Sequence, residues 1–94
     1  MISATEALER LKAGNKRFYE DQIPPSRGRE QLTRLSVSQS PFAIILGCSD
    51  SRVPAEIVFD QGLGDLFVIR VAGNIVAPSQ VGSVEFAAES FGTR

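Results

Sequence analysis

PFAIILGCSDSR, at residues 41–52, sets the architecture of the chain. Its apolar part, residues 42–46, runs without any alternation of polar and apolar side chains. That pattern is typical of a strand buried on both faces of a parallel sheet. Gly47 ends the run, and the polar residues that follow it predict a loop at the carboxyl end of the strand.

A second apolar run, residues 66–69, predicts another buried strand, and residues 54–59 predict a short helix between the two. Strand, helix and strand in this order form a right-handed βαβ unit, so the predicted fold class is α/β with a short parallel sheet. In such sheets, functional groups gather where the strands end. The residues at these ends are Cys48, Asp50 and Arg52 after the first strand, and Arg70, Gly73 and Asn74 after the second.

Helices are predicted on both sides of this unit. Ser3 and Glu6 have the spacing of a capping box, and the apolar stripe that follows indicates a helix to about residue 20. After a connector that contains prolines, residues 29–37 predict a second short helix. Apolar residues at intervals of three and four predict a last helix over residues 79–92, ending at a glycine.

These elements divide the chain into two regions. We expect an N-terminal helical arm at residues 1–40 and a partial α/β core at residues 41–94. Two strands are too few for an independent sheet, because a pair leaves both edges open. We therefore expect oligomerisation to complete the sheet.

Charge and cysteine content exclude several classes of function. The chain has 10 Lys and Arg against 11 Asp and Glu, a net charge of -1, which disfavours nucleic acid as the main partner. The sequence shows neither a signal peptide nor a window long enough to span a bilayer, so we expect no membrane partner. A single cysteine excludes an intrachain disulfide and agrees with a cytoplasmic protein.

The loop after the first strand places a thiol, a carboxylate and a guanidinium close together. In a zinc site, Cys48 would be a thiolate ligand, and Asp50 either a second ligand or the acceptor that Arg52 holds in place. In a reactive-cysteine site, Cys48 would be acidified by Arg52 and by nearby backbone N–H groups. A buried cysteine beside an Asp–Arg pair that only tethers the loop explains the same residues. Spacing alone leaves all three open.

Three segments together resemble the β-class carbonic anhydrases: CSDSRVP at residues 48–54, AEIVFDQGLGDLFVIRVAGN at 55–74 and GSVEFAAESFG at 82–92. The resemblance extends over essentially the whole chain. Its combination of C-x-D-S-R with a downstream R-x-A-G-N is highly specific. Members of this family hydrate CO2 to bicarbonate on a zinc ion held by two cysteines and one histidine, so the resemblance implies an incomplete form of that fold and a link to that reaction.

The resemblance also implies roles for four residues. Cys48 would be a zinc ligand. Asp50 would be the aspartate that can occupy the open zinc position in the closed, inactive form, and Arg52 would be its salt-bridge partner. Gln61 would match a hydrogen-bond donor on the substrate side of the site in some members.

The same resemblance indicates which ligands are lacking. In the family a His-x-x-Cys motif supplies the other two protein ligands, whereas this sequence has one cysteine and no histidine. Zinc held by Cys48 and Asp50 alone would lack the three protein ligands of a catalytic site. We therefore expect these 94 residues alone to bind little or no zinc and to be inactive towards CO2.

The resemblance and the missing ligands leave two classes of function. In the first, the chain derives from an enzyme and is either an inactive remnant or one part of a split carbonic anhydrase, completed by a separate polypeptide with the His-x-x-Cys half. In the second, it is a non-catalytic binding or assembly module that keeps the fold. In both cases the apolar edge at residues 42–46 predicts a homodimer or higher homo-oligomer. A two-fold pair of these strands would be antiparallel and would put the two Cys48 loops at opposite ends of the joined sheet. Such a dimer could not pool its cysteines in one zinc site.

Overall fold

The computed structural model describes residues 1–22, 35 and 37–94. Its elements are helix α1 (Ala4–Tyr19), strand β1 (Ala43–Gly47), helix α2 (Ala55–Val58), strand β2 (Leu66–Arg70), a 3-10 turn (Ala72–Asn74) and helix α3 (Pro78–Phe91). This order confirms the predicted βαβα unit after an N-terminal helix. The second predicted helix, residues 29–37, lies outside the described residues apart from positions 35 and 37.

Strands β1 and β2 pair in parallel, which confirms the α/β fold class. Ala43 lies opposite Leu66 at the start of the pair, and Gly47 lies opposite Arg70 at its end. The register is extended beyond the strands by the Val71 N–H, which donates to the Gly47 carbonyl at 3.0 Å. The two chain segments therefore leave the sheet side by side, so the loop after β1 and the turn after β2 meet at one edge.

The core beneath this sheet is small and rests on short side chains. Within residues 1–22, 35 and 37–94, its buried members are Ala7, Phe42, Ala43, Ala55 and Leu66. Three of these five are alanines, so the helices approach the strands closely but remove little apolar area from water. A chain of 94 residues buries a smaller fraction of its surface on folding than a larger domain does, so its stability depends strongly on these few contacts.

Helix α1 begins as the sequence predicts and docks on the core through polar contacts. The Ser3 Oγ accepts a hydrogen bond from the Glu6 N–H at 3.2 Å, which confirms the N-cap. Further along, the Asn15 Nδ2 donates to the Val58 carbonyl at 2.9 Å, and the Arg17 Nε donates to the Asp60 Oδ2 at 2.5 Å. These contacts fix α1 to the end of α2. The boundary between arm and core at residues 40 and 41 stays a prediction.

Helix α3 is held at both ends. At its start the Gln80 Oε1 accepts from the Ala77 N–H at 3.1 Å, and at its end Gly92 adopts a left-handed conformation with a φ of 66°, as the sequence predicts for a helix stop. The buried hydroxyl of Thr93 then donates to the Pro41 carbonyl at 2.8 Å. The end of α3 is thereby attached to the residue that introduces β1. Neither α3 nor any other helix in the described part of the chain is long and apolar enough to cross a bilayer.

Candidate functional site

Cys48 is the first residue after β1, and its side chain faces the turn that follows β2. Its Sγ accepts a hydrogen bond from the Gly73 N–H at 3.3 Å. Gly73 can present this N–H because its φ of 79° lies in the left-handed region, where a side chain would be strained. The parallel register therefore brings together two segments that are 25 residues apart in sequence.

Backbone N–H groups make the Cys48 thiolate more stable than that of an ordinary cysteine. The hydrogen bond from Gly73 makes the largest contribution, and the N–H groups of Asp50 and Asn74 add to it, so the pKa of the Cys48 thiol is lowered. Partial burial and the Asp50 charge act in the opposite direction but do not cancel this effect. Because the thiolate is both the nucleophile and the metal-binding form of cysteine, the loop prepares Cys48 for either role.

Asp50 and Arg52 form a bidentate ion pair within the same loop. The Asp50 Oδ1 accepts from both the backbone N–H and the Nε of Arg52 at 2.9 Å, and the Oδ2 accepts from the Nη2 at 2.6 Å. The Arg52 side chain and N–H therefore lower the pKa of Asp50 to about 2, and the same pair raises the pKa of Arg52. This is the arrangement in which Arg52 holds the carboxylate in place.

We expect the Asp50 carboxyl to titrate at a pH near 2, well below the ordinary value of about 3.9. Because its pKa is lower in the folded state, its contribution to stability is present above the unfolded pKa and is lost as the pH falls towards 2. Carboxyl-carbon NMR measures the midpoint. Arg52→Gln should bring it back towards the ordinary value, whereas Arg94→Gln, at an exposed terminal position, should leave it unchanged. An unshifted Asp50 in the unsubstituted chain would contradict the observed pairing.

A small cavity opens between this loop and the sheet. Its volume is about 260 Å³, and most of its lining is apolar. The apolar residues include Ile45, Val53, Val58, Phe59 and Val68, and the polar ones include Cys48, Arg70 and Asn74. The thiol thus borders a space that suits a small, weakly polar molecule.

Gln61 lies apart from this cluster. Its side-chain amide donates to the Arg10 carbonyl at 3.2 Å and to the Phe59 carbonyl at 3.0 Å, so it links α1 to the end of α2. It is not among the residues that line the cavity beside Cys48. Its assignment as a substrate-side donor stays a prediction, and within the described residues its visible role is to anchor α1.

Comparison with known proteins identifies the family of the chain. A sequence profile described as carbonic anhydrase matches residues 43–94, which is more than half of the chain. The carbonic anhydrase of Mycolicibacterium smegmatis is 50% identical over 82 residues, and carbonic anhydrase 2 of Mycobacterium tuberculosis is 48% identical over the same length. The solved structure of the β-carbonic anhydrase CcaA matches 93% of the chain with a TM-score of 0.66 and 32% identity.

The chain belongs to the β-class carbonic anhydrases. It covers 40% of the length of each of the two mycobacterial relatives and 44% of the CcaA chain. The resemblance seen in the sequence is therefore confirmed at the level of family and fold. These 94 residues therefore correspond to less than half of the length of each of these carbonic anhydrases.

The donor set of this carbonic anhydrase chain fits only part of a zinc site. Cys48, with its lowered pKa, suits one thiolate ligand position. Asp50 already accepts three hydrogen bonds from Arg52, two at Oδ1 and one at Oδ2, so its carboxylate has one acceptor site left for a metal. Across residues 1–22, 35 and 37–94, no group of three or more Cys, Asp or Glu side chains is placed to hold a metal.

The sequence did not reveal what Arg70 and Gly73 do. Both residues follow the second strand, but their spacing does not predict that the Gly73 N–H donates to the Cys48 Sγ. Nor does it predict that the Arg70 guanidinium donates to the carbonyls of Cys48 and Asp50. The feature of the sequence that could have indicated these contacts is the predicted βαβ unit. Its parallel strands place the ends of β1 and β2 next to each other.

Proposed function

We propose that this chain contributes the Cys48 and Asp50–Arg52 part of a zinc-dependent carbonic anhydrase site, which hydrates CO2 to bicarbonate. The observation that carries the proposal is a thiol with a lowered pKa, placed beside a fixed Asp–Arg pair and a small apolar cavity. Membership of the β-class carbonic anhydrases supports the choice of zinc and CO2 over other thiol chemistry. The proposal therefore rests on site geometry and family together.

Each residue of the loop has its own part in this function. Cys48 would hold the zinc ion, which supplies a hydroxide near neutral pH by lowering the pKa of bound water. Arg52 keeps Asp50 ionised and oriented down to a pH of about 2. The apolar wall of the cavity suits CO2, which has no net dipole and needs no charged partner.

We propose that the remaining ligands come from a His-x-x-Cys segment outside these 94 residues, such as a complementing polypeptide would supply. These 94 residues supply one thiol and no imidazole, and a catalytic zinc needs three protein ligands. CO2 and bicarbonate are then substrate and product of the completed assembly, which we place in the cytoplasm. Neither nucleic acid nor a membrane is part of this proposal.

We expect the 94-residue chain alone to show no CO2 hydration above the buffer blank. Stopped-flow measurement with a pH indicator tests this, with and without a second polypeptide that consists of the part of the Mycolicibacterium smegmatis relative not covered by this chain. The expected result is activity only in the mixture. A rate in the chain alone that disappears in Cys48→Ala would overturn the proposed need for outside ligands.

We also propose that the chain forms a homodimer or higher oligomer. Residues Ile44, Ile45 and Leu46 of β1 are apolar yet only half-buried, and a groove of about 370 Å³ runs between β1, α1 and Val84. Covering these apolar residues would stabilise the thin core.

Light scattering at micromolar concentration measures the mass of the particles in solution and so tests the proposed oligomer. A purely monomeric mass would contradict the proposal, and stable metal-free oligomers without any activity after complementation would instead favour a non-catalytic assembly module.

A further inference from the structure

Arg70 joins two backbone carbonyls of the functional loop. It is the last residue of β2 and lies opposite Gly47, so its side chain starts next to the point where β1 ends. Its Nε donates to the Cys48 carbonyl at 2.8 Å, and its Nη2 donates to the Asp50 carbonyl at 2.5 Å. One guanidinium therefore holds the main chain at both residues of the proposed metal site.

These two contacts constrain the direction of both functional side chains. The carbonyls of Cys48 and Asp50 belong to the peptide planes that follow these residues, and Ser49 lies between them. Fixing both planes limits the backbone dihedrals of the segment, since each residue has only two soft torsions. The Cys48 Sγ is then kept against the Gly73 N–H, and the Asp50 carboxylate is kept against the Arg52 N–H.

Arginine suits this task better than lysine. A guanidinium has five N–H donors in a rigid, planar fork, so it can reach two carbonyls at once from a single orientation. A lysine ammonium carries the same charge but has a flexible stem and no fork. If the role of Arg70 were only to place a positive charge near the loop, lysine would replace it without loss.

We propose that Arg70 is the positioning residue of the Cys48–Asp50 loop and acts by clamping the two carbonyls. The part of this inference that concerns catalysis rests on the proposed function, in which the loop presents the Cys48 thiol and the Asp50 carboxylate to a metal. The clamp itself involves only protein atoms, the Arg70 guanidinium and the carbonyls of Cys48 and Asp50. It can therefore be tested without zinc and without CO2.

The test compares amide hydrogen exchange by NMR in the metal-free chain and in Arg70→Lys and Arg70→Gln. Two reporters matter: the Gly73 amide, which donates to the Cys48 Sγ, and the Arg52 amide, which donates to the Asp50 Oδ1. Both should exchange about tenfold faster, or more, in both variants, because the loop that supplies their acceptors is released. The Phe42 amide, which donates to the Asp65 carbonyl at the other end of the sheet, should not change.

Arg94→Lys serves as the matched control, since it makes the same chemical change at an exposed position and should alter none of the three amides. Unchanged exchange of the Gly73 and Arg52 amides in Arg70→Lys would overturn the clamp. An equal increase in the exchange rate of the Phe42 amide would also overturn it, because Arg70 would then stabilise the whole fold and not the loop in particular. Absence of CO2 hydration in the completed protein would refute the proposed function and leave the exchange result standing.

Discussion

Replacing Cys48 by serine is expected to abolish CO2 hydration in a chimera that joins this chain to the part of the Mycolicibacterium smegmatis carbonic anhydrase that the chain does not cover. A serine hydroxyl does not ionise near neutral pH, so the hydrogen bond from Gly73 can no longer stabilise an anionic ligand. Zinc would then lose one of its three protein ligands. We expect kcat/KM to fall about 1,000-fold or more, as measured by stopped flow.

Ser49→Ala is the matched control for this substitution. Ser49 is the exposed neighbour of Cys48, so its hydroxyl can be removed without disturbing the Gly73 contact. We expect the control chimera to keep its zinc and most of its activity. A Cys48→Ser chimera that retained the activity of the Ser49→Ala chimera would show that Cys48 is not a zinc ligand and would favour the loop-tethering interpretation of this residue.

Replacing Gly14 by alanine should destabilise the chain strongly, because α1 packs closely against the backbone at Phe59. A Cβ at this position would lie 1.7 Å from the Phe59 carbonyl oxygen and 2.7 Å from its carbonyl carbon. Because both are backbone atoms, α1 must move away from α2 and lose its polar contacts. We expect the free energy of unfolding to fall by about 3 kcal/mol or more, measured by urea denaturation followed by circular dichroism.

Gly82→Ala provides the matched control, because it makes the same change inside helix α3. A Cβ at Gly82 would meet no atom within 4 Å. Alanine has the higher helix propensity, so this control should be neutral or should stabilise the chain by up to about 1 kcal/mol. Equal effects of the two substitutions would mean that the close approach of α1 to Phe59 does not contribute to stability.

The strands and their order could be predicted from the sequence because burial on two faces leaves a strong local pattern. The continuous apolar runs located both strands, and the Ser3 cap and Gly92 stop located the ends of two helices. Pro54 was expected as the first residue of α2 and instead stands just before it, as its N-cap. Such a shift of one residue is small, because local propensity fixes helix ends only approximately.

Other features depend on contacts between residues far apart in sequence, and no local pattern encodes them. Gly14 allows the close approach of α1 to the Phe59 carbonyl, a contact between residues 45 positions apart that the sequence around Gly14 does not indicate. The hydrogen bonds from the Gln61 amide to the Arg10 and Phe59 carbonyls are a further example, and the substrate-side role that the resemblance implies for Gln61 stays a prediction. The roles of Arg70 and Gly73 became visible only once the register of β1 and β2 was known.

Zinc content per chain, determined by elemental analysis after purification without chelator, tests the central claim most directly. The claim is that Cys48 supplies one ligand and that the others come from outside these 94 residues. We predict much less than one zinc for the chain alone, about one for the chimera, and a loss of that zinc in the Cys48→Ser chimera. One zinc per monomer in the chain alone, or a Cys48→Ser chimera that keeps its full zinc content, would contradict the account.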